Sequence, residues 1–204
     1  MNQPAQRRKP KTNRAGDPNQ SQTMDRCQTP PYAVAPLLPY LHPGWRIWES
    51  AAGEGFLAGA LRKGGFQVVE SDLLTGQNYF EYEPDDYDAQ VTNPPYSVKY
   101  RWLARCYTLG KPFALLVPGE TLFAAAAQPY LEAYGFEALV FRKGKRVDFK
   151  MPDKGWGGSA QFPTFWLTWG LNIGQPFTFV TLPKPNKQRM AEWLFGIEQL
   201  ALFK

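Results

Sequence analysis

A chain of 204 residues is long enough for one well-packed domain and too short for two full ones. Hydrophobic residues make up 44% of it, as in a globular protein, and no run of about 18 apolar residues is present to span a membrane. Two cysteines and one histidine exclude a disulfide framework and a cysteine-based zinc site, so we expect no metal. This cysteine usage favours a reducing cytoplasm, and we expect no secretory signal because the first residues lack an apolar segment.

The positive charge is concentrated at the amino end of the chain. Residues 1–28 contain six basic and two acidic residues, whereas the rest of the chain is close to neutral. This segment is polar and has no apolar periodicity, so we predict a disordered basic arm followed by a single domain over residues 29–204. A second basic cluster lies at residues 142–154. Such a distribution suits attraction to a polyanion, and a solvated arm that only aids solubility is the alternative.

The apolar pattern predicts alternating helices and strands after the arm. In chain order, the predicted elements are a helix at 33–41, a strand at 45–49, a helix from 56 that stops at Gly64, strands at 66–70 and 88–92, a helix at 100–109, a strand at 113–117, a helix at 121–134, strands at 138–141, 147–149 and 162–169 around a Gly-rich loop at 155–158, and a closing amphipathic helix at 190–200. This order predicts an α/β fold with a Rossmann-like, mostly parallel sheet, an antiparallel hairpin at its edge and helices on both faces.

Three loops of this predicted sheet follow strands, at residues 49–55, at 72 and at 93–96. Ligands of open α/β sheets bind beyond the carboxyl ends of the strands. We therefore expect these three loops to converge on one crevice.

The first of these loops has the pattern G-x-G-x-x-A, formed by Gly53, Gly55 and Ala58. Glycines at a strand-to-helix turn allow a tight bend and let backbone N–H groups approach a ligand closely. Asp72 ends the next strand, where a carboxylate can accept hydrogen bonds from ribose hydroxyls. The pattern indicates a cofactor that contains adenosine; glycines that serve only a turn are the alternative.

The acidic residue that closes the first strand discriminates between cofactors. In dinucleotide sites a pyrophosphate meets the helix N-terminus, and a carboxylate at the position of Glu49 would repel it. The same carboxylate suits a cation such as the ammonium group of S-adenosylmethionine. We therefore favour S-adenosylmethionine over NAD, and with it a methyl transfer over a nicotinamide-dependent oxidation.

The third loop contains the tetrapeptide Asn93-Pro94-Pro95-Tyr96. A conjugated amine is a poor nucleophile, and the Asn93 side-chain oxygen and the Pro94 carbonyl can accept hydrogen bonds from its two N–H groups. The prolines restrict the backbone and so hold these acceptors in place, while Tyr96 offers a flat face for a planar substrate. Transfer from a sulfonium needs alignment rather than a general base. A simple proline turn after a strand is the alternative.

With these motifs the sequence resembles class I S-adenosylmethionine-dependent methyltransferases, and among them the small DNA adenine-N6 enzymes of the kind that bacteriophages carry. The resemblance runs from about residue 29 to 117 and continues weakly to 169. It implies that Asn93 to Tyr96 are catalytic, that Phe162 (or Phe165 in its place) clamps the target base against Tyr96, and that the cofactor S-adenosylmethionine is bound by Thr29, Pro30, Glu49, Ala51, Gly53, Gly55, Asp72, Asn78 and Tyr79. Asn78 departs from the family's pattern, which has Asp at this position.

The resemblance implies double-stranded DNA as the partner, with the target adenine flipped out of the helix. Lys143, Lys145 and Arg146 are the candidates for phosphate contacts, and Trp156 for stacking or wedging. Phosphate contacts carry no sequence information, and no separate target-recognition domain is evident, so we predict a short or relaxed specificity in a monomer. An RNA base methyltransferase, a protein glutamine methyltransferase and a catalytically degenerate nucleic-acid-binding protein are the alternatives. The expected location is the cytoplasm of a bacterial or phage-infected cell.

Overall fold

The computed structural model describes residues 25–152, 155–159 and 162–184. Most of the predicted basic arm and the closing helix lie outside the described residues. Three α-helices occur within these ranges: α1 (Phe56–Lys63), α2 (Lys99–Leu109) and α3 (Gln128–Tyr134). The strands there are β1 (Arg46–Glu49), β2 (Gln67–Glu70), β3 (Ala89–Thr92), β4 (Phe113–Pro118), β5 (Glu137–Phe141), β6 (Asp148–Met151), β7 (Gly155–Ser159), β8 (Thr164–Trp169) and β9 (Phe177–Val180).

Seven of these strands form one sheet in the order β2-β1-β3-β4-β8-β5-β9. Strands β1 to β4 pair in parallel, and β9 is parallel to β5. Strand β8 is antiparallel to both β4 and β5. The Rossmann-like, mostly parallel sheet predicted from the sequence is therefore confirmed.

The antiparallel strand lies inside the sheet and not at its edge, where the sequence analysis placed it. The side chains of Thr164–Phe165–Trp166–Leu167–Thr168 are all buried, so both faces of β8 are covered, and β8 pairs with β4 on one side and β5 on the other. Strand β9 alternates exposed and half-buried residues, as an edge strand does. The burial of β8 thus decides its central position.

Helices cover both faces of the sheet, as predicted. Side chains of α1 and of the 3₁₀ turn Pro31–Ala33 pack with Ile47, Val91 and Leu116 on one face. Side chains of α2 and α3 pack with Trp48, Leu115 and Leu167 on the other. No helix among the residues that the structure describes is both long enough and apolar enough to cross a membrane.

Two predicted helices are shorter in the structure because prolines interrupt them. The helix predicted at 33–41 is replaced by the turns Pro31–Ala33 and Leu38–Tyr40, since Pro36 and Pro39 remove backbone donors. The helix predicted at 121–134 is divided into the turn Gly119–Phe123 and α3, which begins with a proline in its first turn.

The Gly-rich segment at 155–158 is part of a strand and not the loop that its composition predicted. Its backbone pairs with β6, so that β6 and β7 form a separate two-stranded antiparallel sheet. An isolated bridge between Gln28 and Lys150 joins this hairpin to the start of the described chain. The hairpin therefore lies beside the segment that leads into the domain.

The carboxyl ends of β1 to β5 share one edge of the sheet, which we call the carboxyl edge. Because β8 is antiparallel, it begins at the edge where its parallel neighbours end. The segments that follow β1, β3 and β5 and the residue Phe162 that precedes β8 therefore all lie along this edge. Topology alone brings these distant parts of the sequence to one side of the protein.

Candidate active site

A pocket opens at the carboxyl edge between the glycine-rich turn and the tetrapeptide. Four of the residues that the sequence predicted for the site meet in it, although they come from three separate segments of the chain. The pocket is lined by Cys27, Gln28, Thr29, Glu49, Ala51, Ala52, Leu57 and Asn93. The crevice expected from the strand order is thus present, and it joins the predicted cofactor motif to the predicted catalytic motif.

The glycine-rich turn depends on backbone conformations that favour glycine. Gly53 and Gly55 have φ angles of 52° and 80°, in the left-handed region. A Cβ atom on Gly53 would lie 2.6 Å from the Gln28 side-chain oxygen. The Gly53 N–H donates to Asp72 Oδ2 at 2.9 Å, and Asp72 Oδ1 accepts from Leu74 N–H at 2.8 Å. Asp72 therefore fixes the turn while its remaining lone pairs stay available to a hydroxyl ligand.

Glu49 is 1% exposed and has one satisfied and one unsatisfied carboxylate oxygen. Its Oε1 accepts hydrogen bonds from Thr92 Oγ1 at 2.5 Å and from Ala51 N–H at 3.1 Å. Its Oε2 is buried without a partner. Burial raises the pKa of Glu49 to about 8, although the two hydrogen bonds lower it. The charges of Glu70 and Asp72 add to the rise. A cation that entered the pocket would satisfy Oε2 and favour the ionised form.

The tetrapeptide also presents unsatisfied polar atoms. Asn93 Oδ1 and the Tyr96 hydroxyl are both buried without a hydrogen-bond partner. Buried side-chain oxygens without a partner are uncommon in folded proteins because each costs about 1–3 kcal/mol. Their presence at the carboxyl edge indicates a place where a ligand supplies the missing partners.

The last residue of the tetrapeptide, Tyr96, forms an aromatic pair with Phe162. The rings of Tyr96 and Phe162 have centroids 5.8 Å apart and an interplanar angle of 54°. Phe165 is 4% exposed and belongs to the core on the face of α2 and α3. Of the two phenylalanines considered from the sequence, Phe162 is therefore the one that faces Tyr96.

The structure corrects one predicted cofactor contact, Tyr79, and places another, Asn78, in a local turn where its role stays a prediction. Tyr79 is a core residue: its ring stacks on Trp102 with centroids 3.7 Å apart, and its hydroxyl donates to Gln90 Oε1 at 3.2 Å. Asn78 closes a local turn, in which its Oδ1 accepts from the Phe80 N–H at 3.2 Å. Neither residue lines the pocket. The segment between β2 and β3 has no regular apolar period, so the sequence could not separate core residues from site residues there.

The predicted nucleic-acid contacts divide into two groups. Lys143, Lys145 and Arg146 are exposed and follow β5 at the carboxyl edge. Trp156 is half-buried, and its ring packs edge-to-face on Phe56 of α1 at 5.1 Å. This contact restricts the ring of Trp156, and its stacking or wedging against DNA stays a prediction.

Sequence reasoning missed several residues of the site. Glu70 ends β2 directly opposite Glu49 in the register, and its carboxylate pairs with Arg62 at 2.5 Å. The parallel pairing of β1 with β2, which places Glu70 opposite Glu49, is the signal that could have identified Glu70 as a residue of the site. Gln28 lines the pocket but belongs to a segment without any pattern. Among the described residues no group of three or more His, Cys, Asp or Glu side chains could hold a metal ion.

The mostly parallel sheet, with one antiparallel strand between parallel strands and helices on both faces, is a Rossmann-like α/β fold. No protein-family model and no curated protein matches the sequence.

Two solved methyltransferase structures resemble the chain. The methyltransferase subunit of a type I restriction-modification system from Streptococcus thermophilus is 12% identical, with a TM-score of 0.46 over 90% of this chain and 52% of that one. A precorrin-6y C5,15-methyltransferase from Geobacter metallireducens GS-15 is 14% identical, with a TM-score of 0.37 over 68% of this chain and 86% of that one. The chain thus spans about half the length of the first of these proteins. The fold assignment rests on the strand order and not on these two similarities.

Proposed function

We propose that this chain is an S-adenosylmethionine-dependent methyltransferase that modifies the exocyclic N6 amine of a flipped adenine in double-stranded DNA. The observation that supports the proposal is the unpartnered Oδ1 atom of Asn93, which lies in the same pocket as Glu49. A buried neutral acceptor suits an amine that carries hydrogens, and a buried acid beside it suits a cationic cofactor.

The residues of the pocket fit S-adenosylmethionine. The unsatisfied Oε2 of Glu49 matches an ammonium group, and the turn at Gly53 and Gly55 leaves room for close approach of a ligand to the backbone. Asp72 lies against this turn, where its free lone pairs would accept from a ribose hydroxyl. When bound, S-adenosylmethionine supplies the electrophilic methyl group.

The tetrapeptide would bind and orient the amine. Asn93 Oδ1 and the Pro94 carbonyl accept one N–H each, which holds the nitrogen in place and favours its lone pair over conjugation with the ring. The proton leaves the product nitrogen after transfer, so a general base is not needed. The single histidine, His42, packs near Trp45 in the turn before β1, at the opposite edge of the sheet.

Tyr96 and Phe162 would hold the base between them. Two stacking contacts of about 3.5 Å each need ring planes roughly 7 Å apart. The ring centroids are 5.8 Å apart and the planes are inclined at 54°, so the two rings must separate and turn towards parallel when a base enters. We therefore expect the clamp to form only around the substrate.

The proposed substrate is tested by methyl transfer from labelled S-adenosylmethionine to unmethylated duplex DNA, to RNA and to ribosomal proteins. We expect label in DNA, on N6 of adenine, within short or loosely defined sequences. Label that is found only in RNA or only in protein would contradict the choice of DNA. Cofactor binding without transfer to any of the three would instead indicate a binding protein with a degenerate site.

Phe162→Ala should lower the rate of methyl transfer at low DNA concentration by about 10- to 100-fold. Loss of one stacking partner costs about 1–3 kcal/mol per base. The affinity for S-adenosylmethionine, measured by calorimetry, should stay unchanged because Phe162 does not line the cofactor pocket. Phe162→Tyr should restore most of the rate. Phe177→Ala removes an exposed ring on the edge strand β9 and serves as the control; an equal loss in both variants would assign Phe162 to stability alone.

Lys143→Gln should reduce the slope of log affinity for DNA against log salt by about one, because each phosphate contact releases its counterions. Lys143 is exposed at the carboxyl edge. Lys63→Gln is the matched control, since Lys63 is exposed at the end of α1 on the opposite edge. Titration at several salt concentrations measures both slopes. Equal slopes for the two variants would show that Lys143 does not contact the phosphates of DNA.

A further inference from the structure

A four-residue segment, Asp25 to Gln28, crosses the carboxyl edge directly before Thr29 and Pro30. We call this segment the strap. Its first residue contacts Ser97, which directly follows the catalytic tetrapeptide, and its last residue contacts the glycine-rich turn. Cys27 and Gln28 line the cofactor pocket. The strap therefore spans both halves of the site.

The Asp25 end of the strap is fixed on Ser97, the residue directly after the tetrapeptide. Asp25 Oδ1 accepts from the Ser97 N–H at 3.0 Å, and Asp25 Oδ2 accepts from the Ser97 hydroxyl. Hydrogen bonds to a charged carboxylate are stronger than those between neutral groups, and two to one residue restrict its orientation. Ser97 lies in the 3₁₀ turn Tyr96–Val98, so the same bonds restrict the backbone that carries Tyr96.

The Gln28 end is fixed on the cofactor side. Gln28 Oε1 accepts from the Glu54 N–H at 2.9 Å, next to Gly53. Its backbone exchanges two hydrogen bonds with Lys150 of β6, at 2.9 and 3.0 Å, and the Lys150 ammonium pairs with the Glu54 carboxylate. The glycine-rich turn, the strap and the hairpin of β6 and β7 are thus bonded to one another.

The contacts of the tetrapeptide itself make this connection important. Asn93 Oδ1 and the Tyr96 hydroxyl have no hydrogen-bond partner within the protein. Their positions are therefore set by the backbone, and Asp25 bonds to that backbone from outside the motif. A misplacement of about 1 Å at a reacting group costs roughly 100-fold in rate.

From these contacts we infer that the strap sets the position of the catalytic tetrapeptide relative to the cofactor turn, and that Asp25 is a positioning residue for methyl transfer. This inference rests on the proposed function. Loss of the Asp25 carboxylate should therefore slow methyl transfer without weakening the binding of the cofactor, because Asp25 does not line the pocket.

The test compares Asp25→Asn, Ser97→Ala and the double variant with the wild-type chain, using transfer to DNA under saturating conditions and cofactor affinity by calorimetry. We expect Asp25→Asn to lower kcat about 10-fold or more, with cofactor affinity within about twofold. Ser97→Ala removes the hydroxyl bond and keeps the bond from the backbone N–H, so it should show the same pattern with a smaller loss of kcat. The double variant should lose little more than Asp25→Asn, because both changes act on one contact. Asp25→Glu, which keeps the carboxylate, should recover part of kcat. Asp85→Asn, an exposed Asp before β3, is the control.

Each other result has a defined meaning. An unchanged kcat in Asp25→Asn, or fully additive losses in the double variant, would overturn the inference. A parallel fall in kcat, cofactor affinity and melting temperature would show that Asp25 acts only through stability, and this too would overturn it. Absence of transfer by the wild-type chain to DNA would contradict the proposed function, and the inference would be withdrawn with it.

Discussion

Asn93→Ala is expected to reduce methyl transfer by about 100- to 1,000-fold, the usual cost of removing one preorganised polar contact to a reacting group. The variant should keep its affinity for S-adenosylmethionine, because the removed oxygen points to the substrate amine in the proposed site. It should also keep its melting temperature or gain a little, since Asn93 Oδ1 makes no hydrogen bond within the protein. Single-turnover transfer, calorimetry and thermal unfolding measure the three quantities.

The combination of lost activity and retained stability is what distinguishes a catalytic role for Asn93 from a structural one. Gln67→Ala removes a similar amide from an exposed position at the start of β2, at the opposite edge of the sheet, and should leave all three quantities unchanged. If Asn93→Ala turned over at the wild-type rate, Asn93 would have no catalytic role and the proposed chemistry would fail.

The pH dependence of Glu49 provides the second large effect. In the free protein its pKa is about 8, above the ordinary value of 4.5, so below pH 8 the pocket holds the neutral acid. Binding of a cationic ammonium group requires the carboxylate, and a proton must leave. The affinity for S-adenosylmethionine should therefore rise by up to tenfold per pH unit towards pH 8, as long as the ammonium group of the cofactor stays protonated. Calorimetry in buffers of different ionisation enthalpy would detect the released proton.

Glu49→Gln should abolish this pH dependence and weaken cofactor binding most strongly above pH 8, where the wild-type carboxylate is ionised. Glu132→Gln, on the exposed side of α3, is the matched control and should retain the wild-type profile. A cofactor affinity that is independent of pH in the wild-type chain would show that Glu49 does not meet a cation.

The same ionisation affects the stability of the free protein in a predictable direction. Because the folded-state pKa of Glu49 is raised, the folded chain binds a proton that the unfolded chain has already released between about pH 4.5 and 8. The contribution of Glu49 to stability is therefore complete below pH 4.5 and is lost as the pH rises through 8. The melting temperature of Glu49→Gln should therefore fall less than that of the wild-type chain as the pH rises over this range.

The sequence was sufficient to predict the sheet and the crevice at its carboxyl edge because both depend on strong local patterns. Strands such as β4 are short apolar runs between turn signals, and glycines with positive φ, such as Gly53, are required by the bend itself. The meeting of Glu49 and Asn93 in one pocket follows from the rule that carboxyl ends of parallel strands share an edge. Local pattern and topology together were enough for these residues.

Other features depend on contacts between distant residues that leave no local pattern. Asp25 and Ser97 are 72 positions apart, and nothing in the sequence around either residue indicates the hydrogen bonds between them. Tyr79 follows a polar residue in an irregular segment, and only its stacking on Trp102 assigns it to the core. The interior position of β8 depends on burial of both of its faces, which a short apolar strand does not by itself reveal.

The pairing of β5 with β8 bears on how the preference of such a protein for its substrate can change. Val140 and Phe165 are register partners, so the polypeptide that leaves β5 returns to within one strand spacing of its point of departure. The chain between them, which includes the basic residues and Phe162, is one segment whose two ends lie on neighbouring strands. Doubling the length of a flexible segment of this kind costs only about 0.6 kcal/mol of additional loop-closure free energy. Residues can therefore be added to this segment without displacing the two strands that flank it, and in the proposed function such additions would change the surface offered to the substrate.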